Sequence, residues 1–249
     1  MKDDQLLLGK SDPKSDKFDV LHFAVRDLTT AHIPSNIKVI SPCAFQGCQK
    51  LTEVDIPENS ELQIIGEYSF IYSALEQIII PSHVKEIGKC AFSSCEFLKI
   101  IEITENSELE LIGQNAFDGI FEEIFIPKHV KVIPLNAFHS CQNLERIKFA
   151  KNSELNIIEE HAFSQTSLKE ISIPPHVTII KWEAFYSCKN LEIVNIPVNS
   201  ELKTIEEAAF IGTKIEKIYV PPHLNDSGAK WCCGANNLKK KTSGHQTTV

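Results

Sequence analysis

Leu75-Glu76-Gln77-Ile78-Ile79-Ile80-Pro81-Ser82-His83-Val84-Lys85-Glu86-Ile87-Gly88-Lys89-Cys90-Ala91-Phe92-Ser93-Ser94-Cys95 is the stretch whose reading settles the architecture. Ile78 and Ile80 alternate with Gln77 and Ile79, and a fixed apolar position at every second residue is the mark of a half-buried strand. Pro81 ends that strand, because proline has no N–H to give to a ladder. A second short extended piece follows at Val84-Lys85-Glu86-Ile87. Ala91-Phe92-Ser93-Ser94-Cys95 then reads as a turn or a single helical turn, too short to stand as an independent helix.

Working outward, the same landmarks return along the chain. The second member of the apolar pair falls at Ile33, Ile56, Ile80, Ile103, Ile126, Phe149, Ile173, Ile196 and Val220, always 23 or 24 residues apart. Phenylalanine after a small residue falls at Phe45, Phe70, Phe92, Phe117, Phe138, Phe163, Phe185 and Phe210. The spacings of these phenylalanines alternate between short (21 or 22) and long (25), so the true unit is a pair of repeats. One member of the pair carries Asn-Ser-Glu-Leu, at residues 59–62, 106–109, 152–155 and 199–202, where Asn-Ser favours a turn.

A coil of two dozen residues cannot bury its own apolar side, whereas stacked coils can. Stacking also pairs the strands into a parallel sheet at about 4.8 Å per coil. The expected fold is a β-rich α/β class: a right-handed solenoid of leucine-rich-repeat type, with a parallel sheet on one face and short strands or helical turns on the other. Residues 1–32 are expected to form an N-terminal segment and cap, 33–220 eight tandem repeats in four pairs, and 221–249 a C-terminal cap with a tail. Leu28, Ala31 and Ile33 mark the first, degenerate strand, and Trp231 marks the C-terminal cap. Residues 1–14 and 237–249 are expected to be mobile.

The pattern Leu-x-x-Ile-x-Ile-Pro-x-x-Val-x-x-Ile-x-x-x-Ala-Phe-x-x-Cys, carried by Leu75, Ile78, Ile80, Pro81, Val84, Ile87, Ala91, Phe92 and Cys95, resembles the BspA-like leucine-rich repeats. The resemblance runs over about residues 28–224. It implies a surface antigen or adhesin, with a host extracellular-matrix or plasma protein such as fibronectin or fibrinogen as ligand.

Bulk properties narrow the function classes. The chain has 249 residues, 43% of them hydrophobic, which is enough for a sizeable core, and its net charge is −8. Lys230, Lys239, Lys240 and Lys241 against Asp226 make the tail mildly basic, so the body is still more acidic than the whole. Phosphate contacts need a basic face, so nucleic acid and anionic membrane are not the expected partners. The N-terminal apolar run is only Leu6-Leu7-Leu8, against roughly 7–15 residues for a secretory signal. No run approaches the roughly 18 apolar residues of a membrane span. The sequence therefore reads as a cytoplasmic protein, while the resemblance implies the cell surface.

No catalytic set, cofactor or metal is expected. Glycine-rich phosphate loops, Gly-x-Ser-x-Gly and His-Glu-x-x-His are all missing from the sequence. Cys48, Cys95, Cys141 and Cys188 occur once per repeat pair, about 9.6 Å apart at sheet spacing, beyond the roughly 7 Å Cα separation of a disulfide. Cys43 and Cys90 meet the same obstacle, and all six read as small packed residues in a reducing compartment. Cys232-Cys233 reads as ordinary cap residues, with lipid attachment or an oxidised pair as alternatives. His83, His129, His176 and His223 each lie two residues after a strand-ending proline and read as rim turn residues, too far apart to share a metal.

The remaining candidate is the outward side of the strands. Ile79, Ile100 and Phe125 are apolar where the alternation points them to solvent, and Glu102, Glu123, Arg146 and Lys148 lie around them. An apolar cluster with a charged rim suits protein contact. The expected function is non-enzymatic protein binding of adhesin or surface-antigen type; an intracellular scaffold for protein–protein interaction is the alternative.

Overall fold

The computed structural model describes residues 5–215, 218–220 and 241–242. Over them the chain winds through about eight coils of a β-solenoid, each with three walls. The face wall holds the strands Thr30–His32, Glu53–Asp55, Gln77–Ile80, Ile100–Ile103, Glu123–Ile126, Arg146–Phe149, Glu170–Ser172, Ile193–Asn195 and Tyr219–Val220. The back wall holds two-residue strands from Val39–Ile40 through Ile64–Ile65, Glu86–Ile87, Leu111–Ile112, Val132–Ile133, Ile157–Ile158 and Ile179–Ile180 to Thr204–Ile205. Pairing is parallel and in step, as in Gln77 with Ile100 and Ile80 with Ile103. Each strand alternates as the sequence reading requires: Ile78 and Ile80 are buried, Gln77 and Ile79 exposed.

The third wall is the turn carrying the repeat phenylalanine, and here an expectation fails. No helix occurs among the described residues, so the helical turns and the α/β class give way to an all-β solenoid. The reason lies in the backbone. Except at Gly119, residues two before and two after the phenylalanine take positive φ, as at Tyr68 (56°) and Tyr72 (59°) around Phe70, and at Cys90 (53°) and Ser94 (55°) around Phe92. A left-handed residue at every fourth position breaks any helical run. It also turns the amides along the solenoid axis: Tyr68 N donates to Lys89 O (2.8 Å), Phe70 N to Ala91 O (2.8 Å) and Tyr72 N to Ser93 O (3.2 Å).

The core is one continuous cluster. Phe45, Phe70, Phe92, Phe117, Phe138, Phe163, Phe185 and Phe210 form a single file, with centroids 4.8–5.8 Å apart and ring planes within 13° of parallel. All eight are fully buried. The offset-stacking distance of aromatic pairs, roughly 4.5–7 Å, thus matches the coil spacing. Close approach also selects glycine on the back wall: a Cβ on Gly66 would stand 2.6 Å from Ile40 O.

Residues 1–14 were expected to be mobile, yet Leu6–Gly9 forms a strand antiparallel to Val20–Ala24, whose other edge pairs with Val39–Ile40. That strand covers the open edge of the back sheet, the usual liability of a solenoid end. At the other end, Lys241–Thr242 pairs with Tyr219–Val220. His223, Asp226, Lys230, Trp231, Cys232, Cys233, Lys239 and Lys240 lie outside the described residues.

Candidate interaction face

The alternation places the seven candidate residues on the face wall as expected. Ile79 is 57% exposed and Ile100 46%, while Phe125 is half-buried and also packs against the core. Strand register sets Ile79 beside Glu102, Glu123 beside Arg146 and Phe125 beside Lys148. The seven do not form one continuous patch, however. The face sheet is divided into a four-stranded block ending at Ile100–Ile103, a two-stranded block of Glu123–Ile126 with Arg146–Phe149, and a further pair beginning at Glu170–Ser172. Ile79, Ile100 and Glu102 belong to the first block, and Glu123, Phe125, Arg146 and Lys148 to the second.

Each gap in the sheet opens a cleft. The first has a volume of about 700 Å³, with Ile100 and Glu102 on one lip and Ile120, Glu123 and Phe125 on the other. The second, of about 740 Å³, lies between Ile147 and Phe149 on one side and Ile171 and Ile173 on the other. Phe125 lines both. Ile147 and Phe149 should be buried like Ile78 and Ile80, but both are only partly buried and line the second cleft. They are apolar residues of the site that the alternation argument assigned to the core.

The charged rim is largely spent on itself. Glu123 accepts hydrogen bonds from Lys148 Nζ (2.6 Å) and Arg146 Nε (2.9 Å). Those two cations hold the Glu123 carboxyl below its usual range, Lys148 more than Arg146. Glu145 is bound to Lys169 at 2.7 Å in the same way. The Glu102 side chain has no hydrogen-bond or ion-pair partner in the described part of the structure. The face thus offers apolar side chains set in clefts, an acid at Glu102, and cations already satisfied.

The other sequence candidates take structural roles. Cys43, Cys48, Cys90, Cys95, Cys141 and Cys188 are all unbridged. Cys95 Sγ lies 3.4 Å from Ser73 Oγ, and Cys188 Sγ 3.2 Å from Thr166 Oγ1, each partner one coil earlier. Burial pushes the thiols of Cys95 and Cys188 up to about 11, and that of Cys141 further still. The rim histidines acquire partners that the sequence did not announce. His83 Nδ1 is 3.0 Å from Glu108 Oε1, His129 Nδ1 3.3 Å from Glu154 Oε1 and His176 Nδ1 2.9 Å from Glu201 Oε1. Each glutamate is that of the next Asn-Ser-Glu-Leu, and there the serine makes the turn: Ser107 Oγ accepts from Leu109 N at 3.2 Å. Among the described residues no three His, Cys, Asp or Glu side chains come together as metal ligands. No helix of the described part is long and apolar enough to cross a membrane.

Comparison with known proteins places this geometry. The model of the BspA type leucine rich repeat region matches residues 20–120 and 112–239, in six copies. A leucine-rich repeat protein from Bacteroides ovatus is 32% identical in sequence, with a TM-score of 0.72. The match covers 88% of this chain and 58% of that one, so the chain spans little more than half the length of its relative. The leucine-rich repeat protein of T. pallidum shares the fold at 18% identity and a TM-score of 0.51, over 95% of this chain and 94% of that one. No curated protein sequence matches. The family and its fold are typically protein-binding and generally non-enzymatic. From the repeat pattern, the stacked coils and the family match over most of its length, the chain is a member of the BspA-type leucine-rich repeat family.

Proposed function

We propose that the chain is an adhesin-like or surface-antigen-like binding protein whose ligand, a host extracellular-matrix or plasma protein, docks on the face wall around Phe125. The observation carrying this reading is the set of outward apolar residues Ile79, Ile100 and Phe125 beside two clefts that Phe125 lines in common. Apolar anchors in a recess, surrounded by polar groups, supply most of the energy at protein interfaces.

The test uses immobilised fibronectin and fibrinogen with the purified chain. Wild type is expected to bind one of them, and a variant carrying Phe125→Asp and Ile100→Asp to bind about tenfold or more weaker while keeping the wild-type circular dichroism spectrum. Equal binding by the variant removes the face from the reading, and no binding by wild type removes these ligands. The unbridged cysteines favour a second reading, an intracellular scaffold using the same face. Deeply buried thiols resist reagents in any compartment, so the half-buried Cys43 and Cys90 are the residues to probe. Labelling of the chain by a membrane-impermeant reagent on intact cells supports the surface reading, and labelling only after lysis supports the scaffold.

A further inference from the structure

We infer that the junction between the fourth coil (face strand Ile100–Ile103) and the fifth (face strand Glu123–Ile126) is a hinge, about which two four-coil halves tilt on the turn wall. The inference does not depend on the ligand proposed above; it concerns what sets the width of the face cleft.

Three links found at other junctions are missing at this one, and its connection is shortened. On the face, Ile100–Ile103 and Glu123–Ile126 belong to different sheets. On the back, Leu111–Ile112 ends one sheet and Val132–Ile133 begins another. The back break has a covalent cause. In other coils the residue after the back strand donates its amide to the preceding coil: Gly88 to Ile65 O (2.8 Å), Gly113 to Ile87 O (2.7 Å), Glu159 to Ile133 O (2.9 Å) and Lys181 to Ile158 O (2.9 Å). In the fifth coil that residue is Pro134, which has no N–H. The thiol–hydroxyl contact is lost as well. Where Ser73 faces Cys95 and Thr166 faces Cys188, the residue three after Phe117 is Ile120, which has no hydroxyl and is 39% exposed, and Cys141 Sγ has only the backbone, with Phe117 O at 3.7 Å. Finally, the connection is short. Phe70 to Leu75 and Phe163 to Leu168 take five residues, but Phe117 to Phe121 takes four, which fills the leucine site with Phe121.

The turn wall is continuous here, and just before the face strands Ile120 N donates to Leu98 O at 2.9 Å. Phe117 stacks on Phe138 at 5.1 Å, Phe117 N donates to Ala137 O at 3.1 Å and Asn115 N to Leu135 O at 3.1 Å. A junction without strand pairing on the face or the back can rotate about the turn wall. There is room for it: the face cleft of about 700 Å³ and a back cleft of about 400 Å³ between Leu111 and Val132 flank the same junction. The junction at Arg146–Phe149 and Glu170–Ser172 lacks face pairing too, but keeps the back pair Ile157 with Ile179 and the Cys188–Thr166 contact, so it is pinned on two walls.

Backbone hydrogen exchange on the full chain tests this by reading one wall after changing another. Pro134→Glu restores an amide donor on the back wall, using the residue type present at Glu159. In wild type, Glu123–Ile126 on the face is expected to exchange about tenfold faster than Gln77–Ile80. In Pro134→Glu, exchange on the face is expected to slow about threefold or more, because pinning the back removes the rotation. Slowing confined to Val132–Ile133 and its neighbours, with the face unchanged, overturns the hinge and leaves a local missing bond. Pro134→Ala supplies the same donor with a smaller side chain and is read by the same criteria if Pro134→Glu does not fold.

Discussion

The step from the sixth coil to the seventh and the step from the fourth to the fifth occupy the same place in the paired repeat, yet they are built differently. At the first, Thr166 meets Cys188 at 3.2 Å, Lys181 donates to Ile158 O, and the back strands pair. At the second, Ile120, Pro134 and a one-residue-shorter connection remove the counterparts of all three. In a linear array each coil touches only its neighbours, so stability is close to a sum of coil and junction contributions. A weakened junction therefore stays weak, because no distant contact compensates for it. The difference between the two steps separates what holds every coil, the buried phenylalanine file, from what holds only some.

The largest effect should come from cutting the file where it is the main remaining link. Phe117→Ala and Phe163→Ala each remove a fully buried ring and should cost about 3–5 kcal/mol. Phe163→Ala should leave one unfolding transition in urea, whereas Phe117→Ala should divide it into two, with Trp182 fluorescence following the C-terminal half. Coincident transitions for Phe117→Ala would erase the distinction between the junctions.

The next effect is alkaline. Cys95 and Cys188 release their protons near 11 in the fold but near 9 when unfolded. The folded chain then binds more protons than the unfolded one above about pH 9, so stability falls as pH rises from there towards 11. Each unit of displacement is worth about 1.4 kcal/mol. Urea midpoints between pH 8 and pH 10.5 should decline for wild type and decline less for Cys188→Ala. A smaller effect is expected from Thr166→Val, which makes the pinned junction resemble the open one. Losing the hydroxyl contact of the Cys188 thiol, which keeps Phe163 O at 3.0 Å, should cost about 1 kcal/mol in chemical unfolding, the worth of a typical buried hydrogen bond. Smallest of all, Glu123→Gln should move the midpoint by roughly a few tenths of a kcal/mol, since solvent screens its exposed pairs with Arg146 and Lys148. A large change there would mean that the face charges hold the two-stranded block together.

Some of the candidate site was legible in the residues and some was not. Ile79 and Ile100 could be placed outward from alternation alone, because side-chain direction in a strand has a period of two. Ile147 and Phe149 could not, since they follow the same alternation and yet are only partly buried, beside a gap in the sheet. The spacing of four between Phe117 and Phe121 was visible as a shortened interval, but its consequence for two sheets was not. The pairing of His83 with Glu108 spans 25 residues and depends on how one coil sits on the next. The sequence left the turn wall open between a turn and a helical turn, because single left-handed residues such as Tyr68 and Ser94 carry no strong sequence signal; glycine would have carried one.

By itself the sequence determined the coil length, the apolar rows and the parallel stacking, because these follow from local periodicity repeated at a fixed interval. It also determined that the repeat cysteines stay unbridged, because two coils of sheet spacing exceed the reach of a disulfide. Only the tertiary structure decided where the stack is interrupted, which charges on the face are already neutralised, and which wall carries a junction. Those depend on whether particular donors and acceptors of adjacent coils meet within hydrogen-bonding distance, a matter of a few tenths of an ångström that no residue pattern specifies.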